Sequence, residues 1–172
     1  MCEYYIRLAR VSELPTLGTI ETESMKRFSG TGLVDHLLDH CFDQEKLRAL
    51  INSDQVWVAC SPDNSLVGFV VVSVRGSIAY LEEMDVLPEH GRRGLGARLV
   101  SAAREWALRK GFAALTLSTF EGIAWNAPFY KRLGFSVLPT EQWSKELSEL
   151  RTEEEANRLP VNKRVFMQLD LK

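Results

Sequence analysis

The spacing of apolar positions changes period several times along the chain, and each change marks an element. Tyr5 to Arg10 alternates apolar and polar residues, the period of a half-buried strand. Ser12 is placed to cap a helix with Pro15 in its first turn, running through Leu17, Ile20 and Glu21 towards Met25. Phe28 to Leu33 contains the turn-rich SGTG. A weak helical stretch follows over Val34–Leu38, and a clearer one over Asp43–Ile51. Val56–Cys60 is a short apolar strand, and Pro62, Asp63 and Asn64 make a turn. The β-branched run Leu66–Arg75 returns antiparallel across that turn, and Ile78–Val86 forms the next strand.

After Pro88 the period becomes helical. Leu95, Leu99, Ala102, Ala103, Trp106 and Ala107 fall on one face of a helix over Gly94–Lys110, which Gly111 closes. Ala113–Thr119 reads as a strand, Asn126–Leu133 as a short helix stopped by Gly134, and Phe135–Leu138 as a further strand. Glu141–Arg158 is charged and helix-forming with a thin stripe at Leu147 and Leu150, and Val165–Leu171 alternates again. The order predicts an α/β (mixed α+β) domain whose central strand–helix–strand unit is parallel and right-handed. The last strand is expected as an edge, a surface compatible with a homodimer, unless the charged helix covers the sheet.

Length and charge narrow the classes. The chain has 172 residues, 45% hydrophobic and 26% charged, as expected of one ordinary globular domain spanning 1–172. A net charge of -2 gives no basic stripe for nucleic acid. The absence of a long apolar run argues against a membrane partner, and the lack of an N-terminal apolar segment makes a cytoplasmic location the default. Cys2, Cys41 and Cys60 form no CxxC pair. His36, His40 and Cys41 lack the glutamate of an HExxH site, so no metal is expected. Cys60, at the end of an apolar strand, reads as core rather than as a nucleophile.

LPEHGRRGLGARL lies between a strand and a helix. Gly91, Gly94 and Gly96 allow close backbone approach, and the first helical turn leaves N–H groups free for an anion such as a pyrophosphate. Arg92 and Arg93 add positive charge, and Arg98 follows one turn on. The glycine spacing fits neither a P-loop nor a dinucleotide fingerprint. The plainer reading is a tight turn with solvated arginines. The strand before it, YLEEMDV, holds Glu82, Glu83 and Asp85. Alternation puts Glu82, Met84 and Val86 on one face and Leu81, Glu83 and Asp85 on the other. A carboxylate buried in a central strand is a natural proton acceptor, because burial raises its pKa. The competing reading is acids solvated beside a cleft.

VLPEHGRRGLGARLV and WNAPFYKRLGF together resemble the GNAT superfamily of N-acetyltransferases. The resemblance covers Ile78–Val86, the glycine turn, the helix after it, Leu115–Ser118 and NAPFYKRLGF, with weaker agreement over Tyr5–Cys60 and the last strand. It implies an acyl-CoA N-acyltransferase fold, a largely antiparallel mixed sheet of about seven strands flanked by helices. It also implies acetyl-coenzyme A as cofactor. The family's turn reads Arg or Gln, two residues, Gly, any residue, then Gly or Ala. Gly94 and Gly96 fit, while Gly91 stands where Arg or Gln is usual, and Arg92 or Arg93 is expected to supply the charge. By the same resemblance Gly91, Arg92, Arg93, Gly94, Leu95, Gly96 and Ala97 cradle the pyrophosphate, and the backbone of Met84, Asp85 and Val86 runs along pantetheine and acetyl. Asn126 contacts the pantetheine arm with Phe129 beside it. Tyr130 is the general acid at the thioester sulfur. Glu82 is the general base, acting through water, with Glu83 as the alternative.

The acids favour a cationic primary amine as small-molecule acceptor, the aromatics leave an aromatic amine open, and Phe28, Glu82, Phe120 and Trp125 are the candidate substrate contacts. For each aromatic the other reading is ordinary packing. Two other functions remain open on these residues: acetylation of a protein or peptide amine, and a non-catalytic acyl-CoA-binding module.

Overall fold

The computed structural model describes residues 3–33 and 41–171. Its strands form one sheet in the order β1-β2-β3-β4-β5-β7-β6. These are β1 (Tyr5–Leu8), β2 (Val56–Cys60), β3 (Leu66–Arg75), β4 (Ile78–Val86), β5 (Ala114–Phe120), β6 (Ser136–Val137) and β7 (Arg164–Asp170). The helices are α1 (Leu14–Met25), α2 (Gln44–Asn52), α3 (Leu95–Arg109), α4 (Ala127–Arg132) and α5 (Lys145–Ala156). Contacts divide the chain into two compact units: Met1–Ser73 with Glu82–Trp106, and Val74–Leu81 with Ala107–Lys172.

In the first unit β1 and β3 flank β2, both antiparallel to it. Leu14, Leu17 and Ile20 of α1 and Leu47 and Ile51 of α2 are buried with Val56, Val58, Cys60, Phe69 and Val71 in one core. Cys60 is fully buried there. Each buried aliphatic side chain of this kind contributes about 1.5–3 kcal/mol of burial free energy, so this cluster fixes α1 and α2 on the sheet. Asp43 caps α2 by accepting from the Lys46 N–H at 2.7 Å. The α1 entry differs from expectation. A 3-10 turn spans Val11–Glu13, and Glu13, not Ser12, occupies the cap position of α1. Arg7 holds the Glu13 carboxylate at 2.5 and 3.0 Å, and the Arg10 N–H donates to it at 2.8 Å. That pairing fixes the turn one residue later than the sequence suggests. The expected helical stretch Val34–Leu38 lies outside the described residues, as do His36 and His40.

In the second unit β4 pairs parallel with β5 through Ala79–Leu81 and Leu115–Leu117. The expectation that the last strand is an edge is overturned. β7 lies inside, antiparallel to β5 along its full length and to the two-residue β6 on its other side. The β5 pairing satisfies its backbone groups on one side, and β6 covers part of the other. Leu147 and Leu150 of α5 are buried with Tyr80 and Phe166. Among the described residues no helix is long and apolar enough to cross a membrane.

Candidate active site

In the first unit the acids of β4 have distinct surroundings. Glu82 accepts from the Ser73 hydroxyl at 2.5 Å and from the Lys46 ammonium at 2.8 Å. Its side chain is 10% exposed, whereas that of Lys46 is 39% exposed, so the pair keeps a route to water. Asp85 differs. Its carboxyl is pushed well above the ordinary carboxylate range, first by burial, then by the charges of Glu83 and Glu21, with Arg27 opposing. The effect of Glu83 fits the alternation that puts both on one face of β4. Glu21, a buried residue of α1, is also raised by burial, and the Phe42 N–H bond opposes the shift.

The turn after β4 follows from its residues. Pro88 opens a 3-10 turn over Pro88–His90. Gly94 has φ +74°, and among the described residues nothing lies within 4 Å of the space its Cβ would fill. The backbone there is bare, and the N–H groups of the first α3 turn have no partner within the helix. Leu95 is buried and anchors the helix start, Gly96 and Ala97 are half-buried, and Arg92 and Arg93 are exposed. Arg92 itself takes a positive φ of 58°, unusual for a residue with a side chain. Arg93 stacks over the Tyr4 ring at 5.6 Å, and Arg98 donates to the Tyr4 carbonyl at 2.9 Å. The Tyr4 hydroxyl meets His90 Nδ1 at 2.9 Å, so the segment before β1 is tied to this turn at three points. The sequence held no sign of that tie.

In the second unit the Tyr130 residue is buried, edge-on to Phe129 at 5.1 Å and to Phe135 at 5.5 Å. Phe135 N–H and Tyr130 N–H close the ends of α4, onto the Tyr130 and Asn126 carbonyls. Asn126 is the cap residue but its side chain does not cap. Its Nδ2 is buried with no hydrogen-bond partner among the described residues. A buried donor of that kind costs about 1–3 kcal/mol unless something accepts from it. Phe120 is buried beneath the Arg164 guanidinium at 4.7 Å, whereas Trp125 is exposed and Phe28 half-buried.

Residues 38–135 match the model of the Acetyltransferase (GNAT) family. The chain belongs to that family. Acetyl-coenzyme A is the family's cofactor, and solved structures of the same fold hold coenzyme A. As an N-acetyltransferase it resembles two curated enzymes. Aminoglycoside N(6')-acetyltransferase type 1 of Klebsiella aerogenes is 38% identical over 64 residues, 33% of this chain and 42% of that one. The match therefore spans less than half of that relative. Spermidine N(1)-acetyltransferase of Thermoplasma acidophilum is 24% identical over 145 residues, 79% of this chain and 90% of that one. The fold matches the PaiA N-acetyltransferase of Thermoplasma acidophilum in complex with coenzyme A, with a TM-score of 0.72 at 20% identity over 98% of this chain and 99% of that one. Rv2747 of Mycobacterium tuberculosis, in complex with CoA and NLQ, gives 0.70 at 19% identity over 98% and 99%. Among the described residues no group of three metal-binding side chains gathers.

Proposed function

We propose that this N-acetyltransferase acetylates a primary amine of a small polycationic molecule, of the kind represented by a polyamine or an aminosugar. The observation that carries the reading is the carboxylate cluster of the first unit. Glu82, Glu83 and Asp85 follow one another on β4, and Glu21 adds a further buried acid. Within that cluster Lys46 compensates Glu82, and the charge of Arg27 opposes the rise at Asp85. Carboxylates that burial keeps from ionising are stabilised in their charged form by a nearby cation, so the cluster favours a substrate carrying several positive charges. The two curated relatives are named for such substrates.

Bound acetyl-coenzyme A supplies an activated acetyl thioester. The protein's part begins with the amine, which attacks only as the neutral base. Glu82, fixed by Ser73 and Lys46, accepts the amine proton through water, with Glu83 as the alternative acceptor. A backbone N–H at Met84 or Asp85 donates to the acetyl oxygen as it gains charge. Asn126 Nδ2 donates to the pantetheine arm, which explains an amide left without an internal partner. Tyr130, held by Phe129 and Phe135, gives its hydroxyl proton to the departing thiolate.

The test is release of free thiol from acetyl-coenzyme A across a panel of polyamines, aminoglycosides, monoamines and lysine peptides. Polycationic small amines are expected to give the highest kcat/KM, and Tyr130→Phe to lower kcat about tenfold or more with coenzyme A affinity kept. Turnover of lysine peptides above every small amine would transfer the assignment to protein acetylation. No turnover of any amine would favour a binding module.

A further inference from the structure

We propose that Arg27 supplies the diphosphate-binding cation that Gly91 lacks, reaching the turn from a different element. Arg27 lies in the 3-10 turn Lys26–Phe28 that continues α1. A Cβ built on Gly91 would sit 2.8 Å from Arg27 Nη2 and 3.1 Å from the Pro88 carbonyl oxygen. Gly91 has φ -65°, so its backbone does not demand glycine. What occupies the place of a side chain there is the Arg27 guanidinium.

Two of the other cations near the turn are engaged, and Arg92 is exposed. Arg93 lies over Tyr4 and Arg98 is bound to the Tyr4 carbonyl. Arg27 forms no hydrogen bond or ion pair with any described residue, although its charge is felt at Asp85. A half-buried guanidinium set against a backbone turn with open N–H groups has donors to spare. Its planar fork suits a phosphate oxygen pair better than an ammonium would. Gly91 is therefore a vacancy filled from α1, and the turn keeps its charge by a different route. The same guanidinium that sits against Gly91 is also felt as a charge at Asp85, which links the turn to the acids of β4 electrostatically.

This rests on acetyl-coenzyme A binding at the turn, and the experiment separates the two. Coenzyme A is titrated calorimetrically into the full chain at low and at high salt. Arg27→Ala and Arg27→Gln, the second keeping much of the stem, are expected to weaken binding about tenfold at low salt, with a shallower dependence on salt. Arg27→Lys is expected to fall between them and wild type. Adding Gly91→Arg to Arg27→Ala is expected to recover most of the affinity, since removing the guanidinium clears the space. Thermal melting of each protein without coenzyme A is expected to match wild type. Wild-type affinity or wild-type salt dependence in both Arg27→Ala and Arg27→Gln would overturn the role of Arg27 and leave the function standing. A wild-type chain that binds no coenzyme A would remove both.

Discussion

Two glutamates, one in each unit, show how the same side chain is built for opposite tasks. Glu154 and Glu82 have side chains only 9% and 10% exposed. Glu154 is gripped by two guanidiniums, Arg164 at 2.9 Å and Arg151 at 3.1 Å. Those arginines are themselves 13% and 11% exposed and spend further donors on Ser118, Val161 and the Arg164 carbonyl. Burial holds the Arg151 guanidinium below its ordinary pKa, a sign of how little water reaches it. Among its partners Glu82 instead has a hydroxyl and an ammonium whose side chain is more than a third exposed. The first arrangement locks α5 to β7. The second holds a carboxylate in place and leaves it in exchange with solvent, which proton transfer requires.

Removing each carboxylate should separate these tasks. Glu154→Ala leaves two buried guanidiniums without their counter-ion, and is expected to cost about 3 kcal/mol of stability. Urea unfolding would show it as a lower midpoint, with kcat per folded molecule unchanged. Glu82→Gln keeps an oxygen for Ser73 and Lys46, so stability should move by less than about 1 kcal/mol. Its kcat/KM, however, should fall about a hundredfold or more. If Glu82→Gln turns over normally while Glu83→Gln does not, the base is Glu83 and the Glu82 cluster is structural like that of Glu154.

The contrast also marks what the residues disclosed before any coordinates. Local periodicity was legible. The α3 face at Leu95, Leu99, Ala103, Trp106 and Ala107 is buried, and β2, β3 and β4 run close to their expected bounds. The glycine turn was legible because its backbone needs show directly as residue types. Partners distant in sequence were not. Lys46 is 36 residues from Glu82, and Arg164 is ten from Glu154 on another element. No periodicity encodes such pairings. The order of strands is likewise non-local. Val165–Leu171 has the same alternation whether it ends a sheet or, as found, lies between β5 and β6. The cap at Glu13 was missed for the same reason, since it depends on Arg7 in β1.

A third carboxylate sharpens the contrast, with the smallest effect. Glu21 is buried, accepts from the Phe42 N–H and has no ion-pair partner among the described residues, and burial raises its pKa. Folding therefore draws a proton onto Glu21 between its ordinary and its raised value. Through that interval stability falls as pH rises. Glu13 is the reverse: Arg7 lowers its pKa, so its contribution is present above the ordinary carboxylate range and is lost as pH falls. Glu21→Gln can still accept from Phe42 but has no charge to bury. It should melt with wild type in acid and above wild type towards neutral pH, by less than about 1 kcal/mol. The slope will flatten without vanishing, because Asp85 is raised by burial and by Glu83 even when Glu21 is gone. Melting curves from about pH 4 to about pH 8 bracket the ordinary carboxylate value and neutrality. A difference between the two proteins that is constant across that range would assign the effect to packing, and Glu21 would then be a buried glutamate whose charge the fold does not feel.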